Sequence, residues 1–131
     1  MKQLITYISE KLHLDKDTKI EADYHYHYYP ENRVELKSLV NKLIKERGND
    51  ADLNDIDVSK VTNMQNMFES SKFNGDISEW NVSNVKDMCG MFYKSKFNRD
   101  ISEWNVSNVK DMSFMFKDSP LEKNPPKWYH E

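Results

Sequence analysis

A period constrains this chain more than any other feature of its sequence. Phe68, Phe92 and Phe116 are spaced 24 residues apart, and Trp80, Trp104 and Trp128 keep the same step. Two independent landmarks with one period mean an array of equivalent units, each too small to bury its own apolar face, so the core has to form between units. The stretch from Phe73 to Met88 reads FNGDISEWNVSNVKDM and the stretch from Phe97 to Met112 reads FNRDISEWNVSNVKDM. Upstream, Leu53, Ile56, Val58, Val61 and Met64 fall on Ile77, Trp80, Val82, Val85 and Met88, a degenerate first repeat. Downstream, Leu121, Pro125 and Trp128 take the places of Phe97, Ile101 and Trp104, a degenerate last one.

Within a repeat, Val85, Met88, Met91 and Phe92 recur at steps of three, three and one, the stripe of a short helix with one buried face. Ser83 or Asn84 stands where an N-cap would be, with Asp87 in the first turn and Lys94 and Lys96 at the far end, as the helix dipole favours. Phe97, Ile101, Trp104 and Val106 are apolar positions in a polar run too short for a second helix, which predicts an extended rung with a short strand near Asp100 to Trp104. The fold class expected is an α/β solenoid, leucine-rich-repeat-like, with one short strand or rung and one short helix per repeat. Strands stack more closely than helices, so such an array curves with its strand side concave.

The residues before Ala51 do not repeat. Thr6 to Leu14 and Val34 to Arg47 read as amphipathic helices, the second preceded by an Asn32 to Glu35 capping-box pattern and ended by Gly48. Between them the partial alternation from Glu21 to Tyr29 suits a strand. Residues 1–50 are thus expected to form an α+β N-terminal cap, packed as one structural domain on the repeats of 51–131. Pro120, Pro125 and Pro126 remove backbone donors at the other end and protect its edge.

Charge narrows the partners. Nineteen Lys and Arg against 22 Asp and Glu leave a net charge of −3, so no global positive field draws in nucleic acid. The single cysteine, Cys89, cannot pair within the chain, and the first twenty residues alternate apolar with charged positions where a signal peptide would need an apolar core. A cytoplasmic setting is the expectation, with no membrane span.

The string F-N-x-D-I-S-x-W-N-V-S-N-V-x-x-M-x-x-M-F resembles the BspA-type, mycoplasma-type surface lipoprotein repeat, over roughly Ala51 to Trp128. The resemblance implies a leucine-rich-repeat-like solenoid, a bacterial source and, in many relatives, surface adhesion or contact with host proteins. It carries over no catalytic residue. Relatives of the surface type usually bear a signal or lipoprotein sequence and many more repeats, and neither is expected of this chain.

The candidate chemistry is sparse. His25 and His27 share a strand face and could hold a metal with His13, but a third ligand at a recognisable spacing is missing, so no metal site is expected. Cys89 falls where other repeats have Gln65 and Ser113, with no His or Arg near it in sequence to activate the thiol. The tryptophans could stack bases or sugars, yet Ile56 occupies their column in the first repeat, and an aliphatic residue replaces a packed ring better than a stacking one. Six of the seven methionines fall in register and read as core. Asp52, Asp76 and Asp100, and likewise Asn74 and Asn98, are expected to satisfy backbone groups at corners, with Glu79 and Glu103 in solvent. A carboxylate repeated in every unit is not the single asymmetric constellation that catalysis needs. No enzyme activity and no cofactor are expected.

What remains is binding. The expected role is a non-catalytic protein-binding or scaffolding module with an unidentified protein partner, the alternative being a carbohydrate- or host-surface-binding fragment of an adhesin. Equivalent positions that differ between repeats are where partner choice can be written. These are Gly75 against Arg99 and Lys123, Glu69 against Tyr93 and Lys117, Ser70 against Lys94 and Asp118, and Gly90 against Phe114. Tyr93, Arg99 and Phe114 are the favoured recognition residues, with Tyr24, Tyr26 and Tyr28 of the cap as alternatives. If the tryptophan column is core, Trp104→Ala costs about 3 to 5 kcal/mol in chemical denaturation. A loss under about 1 kcal/mol would put the ring at the surface.

Overall fold

The computed structural model describes residues 25–130. The expected helix Thr6 to Leu14, His13, Tyr24 and the first part of the Glu21 to Tyr29 strand lie outside the described residues. Helix α1 spans Arg33–Arg47. Asn32, in an extended conformation, accepts the Glu35 N–H on Oδ1 at 3.0 Å, and Glu35 Oε1 accepts the N–H of Glu31 at 2.8 Å, a capping box whose return bond lands one residue early. Gly48 closes the helix at φ 98°, its N–H donating to Ile44 C=O at 2.7 Å, a conformation that side chains disfavour. Leu36, Val40 and Leu43 are fully buried, whereas Val34, expected on the same face, is exposed.

The repeats meet at their expected register, through bonds that take the place of the expected helices. The N–H groups of Met64, Asn66, Phe68 and Ser70 donate to the carbonyls of Asp87, Cys89, Met91 and Tyr93 at 2.8–3.0 Å. One repeat later, those of Met88, Gly90, Phe92 and Lys94 donate to Asp111, Ser113, Met115 and Lys117 at 2.8–2.9 Å. Every second N–H therefore leaves the unit sideways. The N–H groups between them close turns three residues back, as from Met91 to Met88 and from Tyr93 to Gly90. A helix would send all of them four residues back along its own axis, so the two arrangements exclude each other. The alternation needs a left-handed residue at every fourth position, and Asn66, Ser70, Gly90, Lys94, Phe114 and Asp118 have φ of 56–61°. Each non-glycine residue there costs about 1 to 2 kcal/mol, which the cross-repeat bonds, at about 0.5 to 1.5 kcal/mol each, can offset. A stripe at steps of three serves a run of turns as well as a helix. The concave arc was inferred from helix width, and with no helix in the repeats that inference loses its premise.

The strand expected near Asp100 to Trp104 does not form; the isolated parallel bridges are Asp52 with Asp76 at the start of the rung column, Tyr28 with Ile56, and, in the segments expected as helices, Asn63 with Asp87 and Asp87 with Asp111. At each corner an Asp or Asn side chain accepts the N–H two residues on. Asp52, Asp76 and Asp100 do so at one corner, Asp57, Asn81 and Asn105 at the next, and Asn63, Asp87 and Asp111 at the third. The structural role expected of the Asp column is what these bonds provide, and Glu79 and Glu103 are exposed.

The interior is a large aromatic cluster. Phe68, Phe92 and Phe116 stack at 5.5 and 5.7 Å with planes within 7° of parallel, and Phe73 stacks on Phe97 at 6.1 Å. Trp80 and Trp104 are buried, and the indole N–H groups of Trp80, Trp104 and Trp128 donate to the carbonyls of Leu53, Ile77 and Ile101. Each indole thus ties one repeat to the one before it. The side chains of α1 join the same cluster. The result is a compact, mostly irregular domain with one α-helix and a short 3-10 turn at Pro120–Glu122 among the described residues, isolated bridges and this buried core.

The first repeat has no predecessor, and α1 supplies the missing donors. Arg33 Nε bonds Gln65 C=O at 2.6 Å, Lys37 Nζ bonds Met67 C=O at 2.6 Å, and Arg47 Nη1 bonds Asp52 C=O at 3.0 Å. The equivalent carbonyls one repeat on, those of Cys89, Met91 and Asp76, accept backbone N–H groups from the preceding repeat. Burial, then the neighbouring Arg33, lowers the Lys37 pKa.

Gly75 is not a free position, contrary to its place among the variable ones. A Cβ there would sit 1.9 Å from the Ala51 carbonyl oxygen and against the Phe73 ring. That closeness lets Asp76 N–H reach Ala51 C=O. The neighbouring Asn74 N–H bonds Asn49 C=O at 2.6 Å, and its equivalent one repeat on, Asn98 N–H, is taken instead by the Asn74 side chain, on Oδ1 at 2.8 Å. Gly75→Ala should cost the upper end of about 1 to 3 kcal/mol in denaturant unfolding. The matched Arg99→Ala should cost under about 1 kcal/mol; equal losses would mean that the close approach at Gly75 does not matter.

Candidate functional site

The turn face of the repeats carries a hollow that arises from one missing side chain. Asn66, Gly90 and Phe114 occupy the same position in three successive repeats, all left-handed. Between an amide and a ring, the glycine leaves a gap, and the gap is lined by Asn66, Glu69, Cys89, Gly90, Tyr93, Phe114 and Lys117. Its volume is about 250 Å³. That is below the roughly 300 Å³ at which small-molecule pockets begin, and suits a single inserted side chain.

Tyr93 and Phe114, singled out from the sequence, are brought together here. Phe114 is 55 % exposed, and the Lys117 ammonium stands 5.9 Å from the centre of its ring. Lys94 Nζ lies 5.2 Å from that of Tyr93. Asn66 Nδ2 donates to Glu69 Oε1 at 2.6 Å, so one end of the hollow is anionic and the other, at Lys117, cationic. Cys89 is half-buried; burial, then Asp111 and Asp87, pushes its thiol pKa up and away from the thiolate. Arg99 lies elsewhere, its Nε on Asn74 C=O at 3.0 Å, in a surface depression with Asp100, Leu121 and Pro125. Glu69, Lys117 and Gly90 stood among the positions that differ between repeats, but nothing in the spacing said that they converge.

A second hollow, about 370 Å³, lies where the helix end meets the first repeat, between His25, Arg47, Asp52, Asn54, Asp55 and Glu79. Arg47 grips Asp55 with both terminal nitrogens at 3.0 Å, and His27 Nδ1 is 3.0 Å from Asp55 Oδ2. Sequence reasoning missed Asp55, which begins the Glu79 and Glu103 column and differs from it only by one methylene. His25 packs its ring on Tyr26 at 4.1 Å while His27 faces Asp55, so the two do not share a ligand position. Of the alternative tyrosines, Tyr28 is half-buried and pairs with Ile56 through its backbone, and Tyr26 accepts the Tyr29 hydroxyl on its carbonyl at 3.2 Å. No helix among the described residues is long and apolar enough to cross a membrane.

Compared with known proteins, residues 35–130 match the model of a family described as Mycoplasma protein of unknown function, DUF285. No curated protein and no solved structure matches the chain. The matched span takes in most of α1 together with the repeats, and so includes the Gly90 hollow and every lining residue of the second hollow except His25.

Asp55 has the clearest pH consequence. Burial pushes its pKa up, but the Arg47 bonds and charge and the His27 bond outweigh this, and the carboxyl sits below its ordinary value. A depressed folded pKa contributes stability that is present above the unfolded value, near 3.9, and is lost as pH falls through the folded one. Melting temperatures measured between neutral and acid pH should fall on the acid side, and more shallowly in Asp55→Asn. An unchanged slope would show that the pair does not couple to folding.

Proposed function

The chain belongs to the DUF285 family, whose description assigns no chemistry, and on that premise we propose that it is a non-catalytic protein-binding module that receives a partner side chain in the Gly90 hollow. The observation that carries this reading is the meeting of Tyr93 and the exposed Phe114 around a gap of about 250 Å³. Aromatic anchors around a small desolvated pocket are the usual form of a binding hot spot. The flanking charges, Glu69 at one end and Lys117 at the other, would set the orientation of an inserted segment. Burial, then Asp111 and Asp87, disfavours the Cys89 thiolate, and on this reading the thiol at the hollow serves contact and not attack.

The scaffold under the hollow is read as a short leucine-rich-repeat-like solenoid, closed at its first turn by α1. The 24-residue register of the cross-repeat bonds and the stacked Phe68, Phe92 and Phe116 rings support that reading. In a solenoid the side chains at the turns are free to differ, and Gly90 and Phe114 differ without disturbing the backbone, since both hold φ near 60°.

The test uses two variants. Tyr93→Ala with Phe114→Ala removes the walls, and Gly90→Asn fills the floor with the residue that the same column carries at Asn66. The asparagine tolerates the left-handed backbone, and its Cβ would meet only the movable Asn66 amide, at 2.6 Å. Both variants should melt within a few degrees of the parent and lose partners that the parent retains in a pulldown from bacterial lysate. Partners retained by both variants would sink the reading.

A further inference from the structure

Each repeat passes backbone bonds to the next, and the repeat that ends the described residues holds groups that lack a backbone partner among them. Lys86 C=O accepts Lys110 N–H, and Met88 N–H donates to Asp111 C=O, both at 2.8 Å. In the last repeat the equivalent groups are Lys110 C=O and Met112 N–H, and among the described residues neither has a backbone partner. The side chains tell the same story. Val82, Val85 and Met88 are buried at 0–1 % exposure, while their equivalents Val106, Val109 and Met112 are only half-buried, beside Trp128 in an open depression of about 570 Å³.

The first repeat shows what a finished end looks like, with Arg33, Lys37 and Arg47 on its carbonyls and Leu36, Val40 and Leu43 over its apolar face. A second copy cannot stack its last repeat on that end, because α1 already occupies it. What the two copies can share is the last repeat of each.

We propose that the edge from Trp104 to Ser113 pairs with the same edge of a second copy of this chain, about a two-fold axis through Asp111. An antiparallel pair centred there makes Asp111 face its own counterpart without bonding to it and sets Lys110 opposite Met112. Met112 N–H of each copy then donates to Lys110 C=O of the other. Both leftover donors and both leftover acceptors are used, which no other centre of pairing achieves for these two residues. Val106, Val109, Met112 and Trp128 come under cover at the same time, as an unpaired edge flanked by apolar side chains invites. The one adverse element is the meeting of the two Asp111 carboxylates, and in the first repeat the residue of this column is the neutral Asn63.

That carboxylate pair makes the proposal testable in both directions. Sedimentation equilibrium of the full chain should show a concentration-dependent dimer, and hydrogen exchange should show the Met112 amide gaining protection as concentration rises. Asp111→Asn should tighten association about two- to fivefold, because like charges directly opposite are removed. Val109→Lys, checked for an unchanged circular dichroism spectrum, should weaken it by at least about tenfold by placing a charge in the covered face. A chain that stays monomeric to about 1 mM overturns the proposal. So does a dimer whose affinity is the same in Asp111→Asn and Val109→Lys, since it would pair through another surface. Should Val109→Lys fail to fold, the Asp111→Asn affinity and the Met112 exchange decide alone.

Discussion

The structure rests on one use of the backbone: every second N–H of the Met64 to Ser70 and Met88 to Lys94 segments crosses to the next repeat. A peptide group has one donor, so a donor spent between units cannot close a helical turn within one. From this follow the turns at the intervening residues, the left-handed φ at Asn66, Ser70, Gly90 and Lys94, and the Asp and Asn side chains that take up the corner amides. The stacked phenylalanines follow too, because bonds held at one register place equivalent rings over one another at 5.5–5.7 Å. Local strain is accepted in each unit in exchange for bonds and ring contacts between units.

The two ends of the array resolve the same problem unequally. At the start, α1 turns three basic side chains onto the carbonyls that an earlier repeat would have satisfied, and Tyr28 bonds beside Ile56. Charged donors make the stronger bonds of this kind, and their long stems cover apolar surface while reaching the backbone. At the other end, prolines remove donors at 120, 125 and 126, and Trp128 continues the indole ladder onto Ile101 C=O. Yet Val106, Val109 and Met112 stay half-buried where Val82, Val85 and Met88 one repeat earlier are buried.

Two glycines carry opposite meanings. Gly75 is demanded by the fold, since its backbone lies against the Ala51 carbonyl where a Cβ cannot go. Gly90 is demanded by nothing of that kind: Asn66 and Phe114 hold the same backbone conformation with side chains attached. On the proposed reading, this gap, which the fold does not require and which Tyr93 and Phe114 wall, is where a partner is recognised. In a repeat array such a gap is made by varying one position while its neighbours keep the register, so surface chemistry changes at little structural cost.

The sequence by itself determined the period, the core and the helix. The 24-residue step of Phe and Trp, the methionine stripe, the Asn32 start and Gly48 stop of α1 and the corner roles of Asp76 and Asp100 were legible because each depends on local spacing or on chemistry repeated in every unit. Tertiary structure decided the rest. A step of three is compatible with a helix and with a run of turns, and only the presence of a neighbouring repeat to exchange backbone bonds with, as donor or as acceptor, selects the turns. Arg99 parted from Tyr93 and Phe114, and Asp55 joined Arg47 and His27, because those distances depend on how units and helix pack, which no spacing along one strand of sequence encodes. The backbone's hydrogen bonds are chosen between local and distant partners, and that choice is made only when the distant partners arrive.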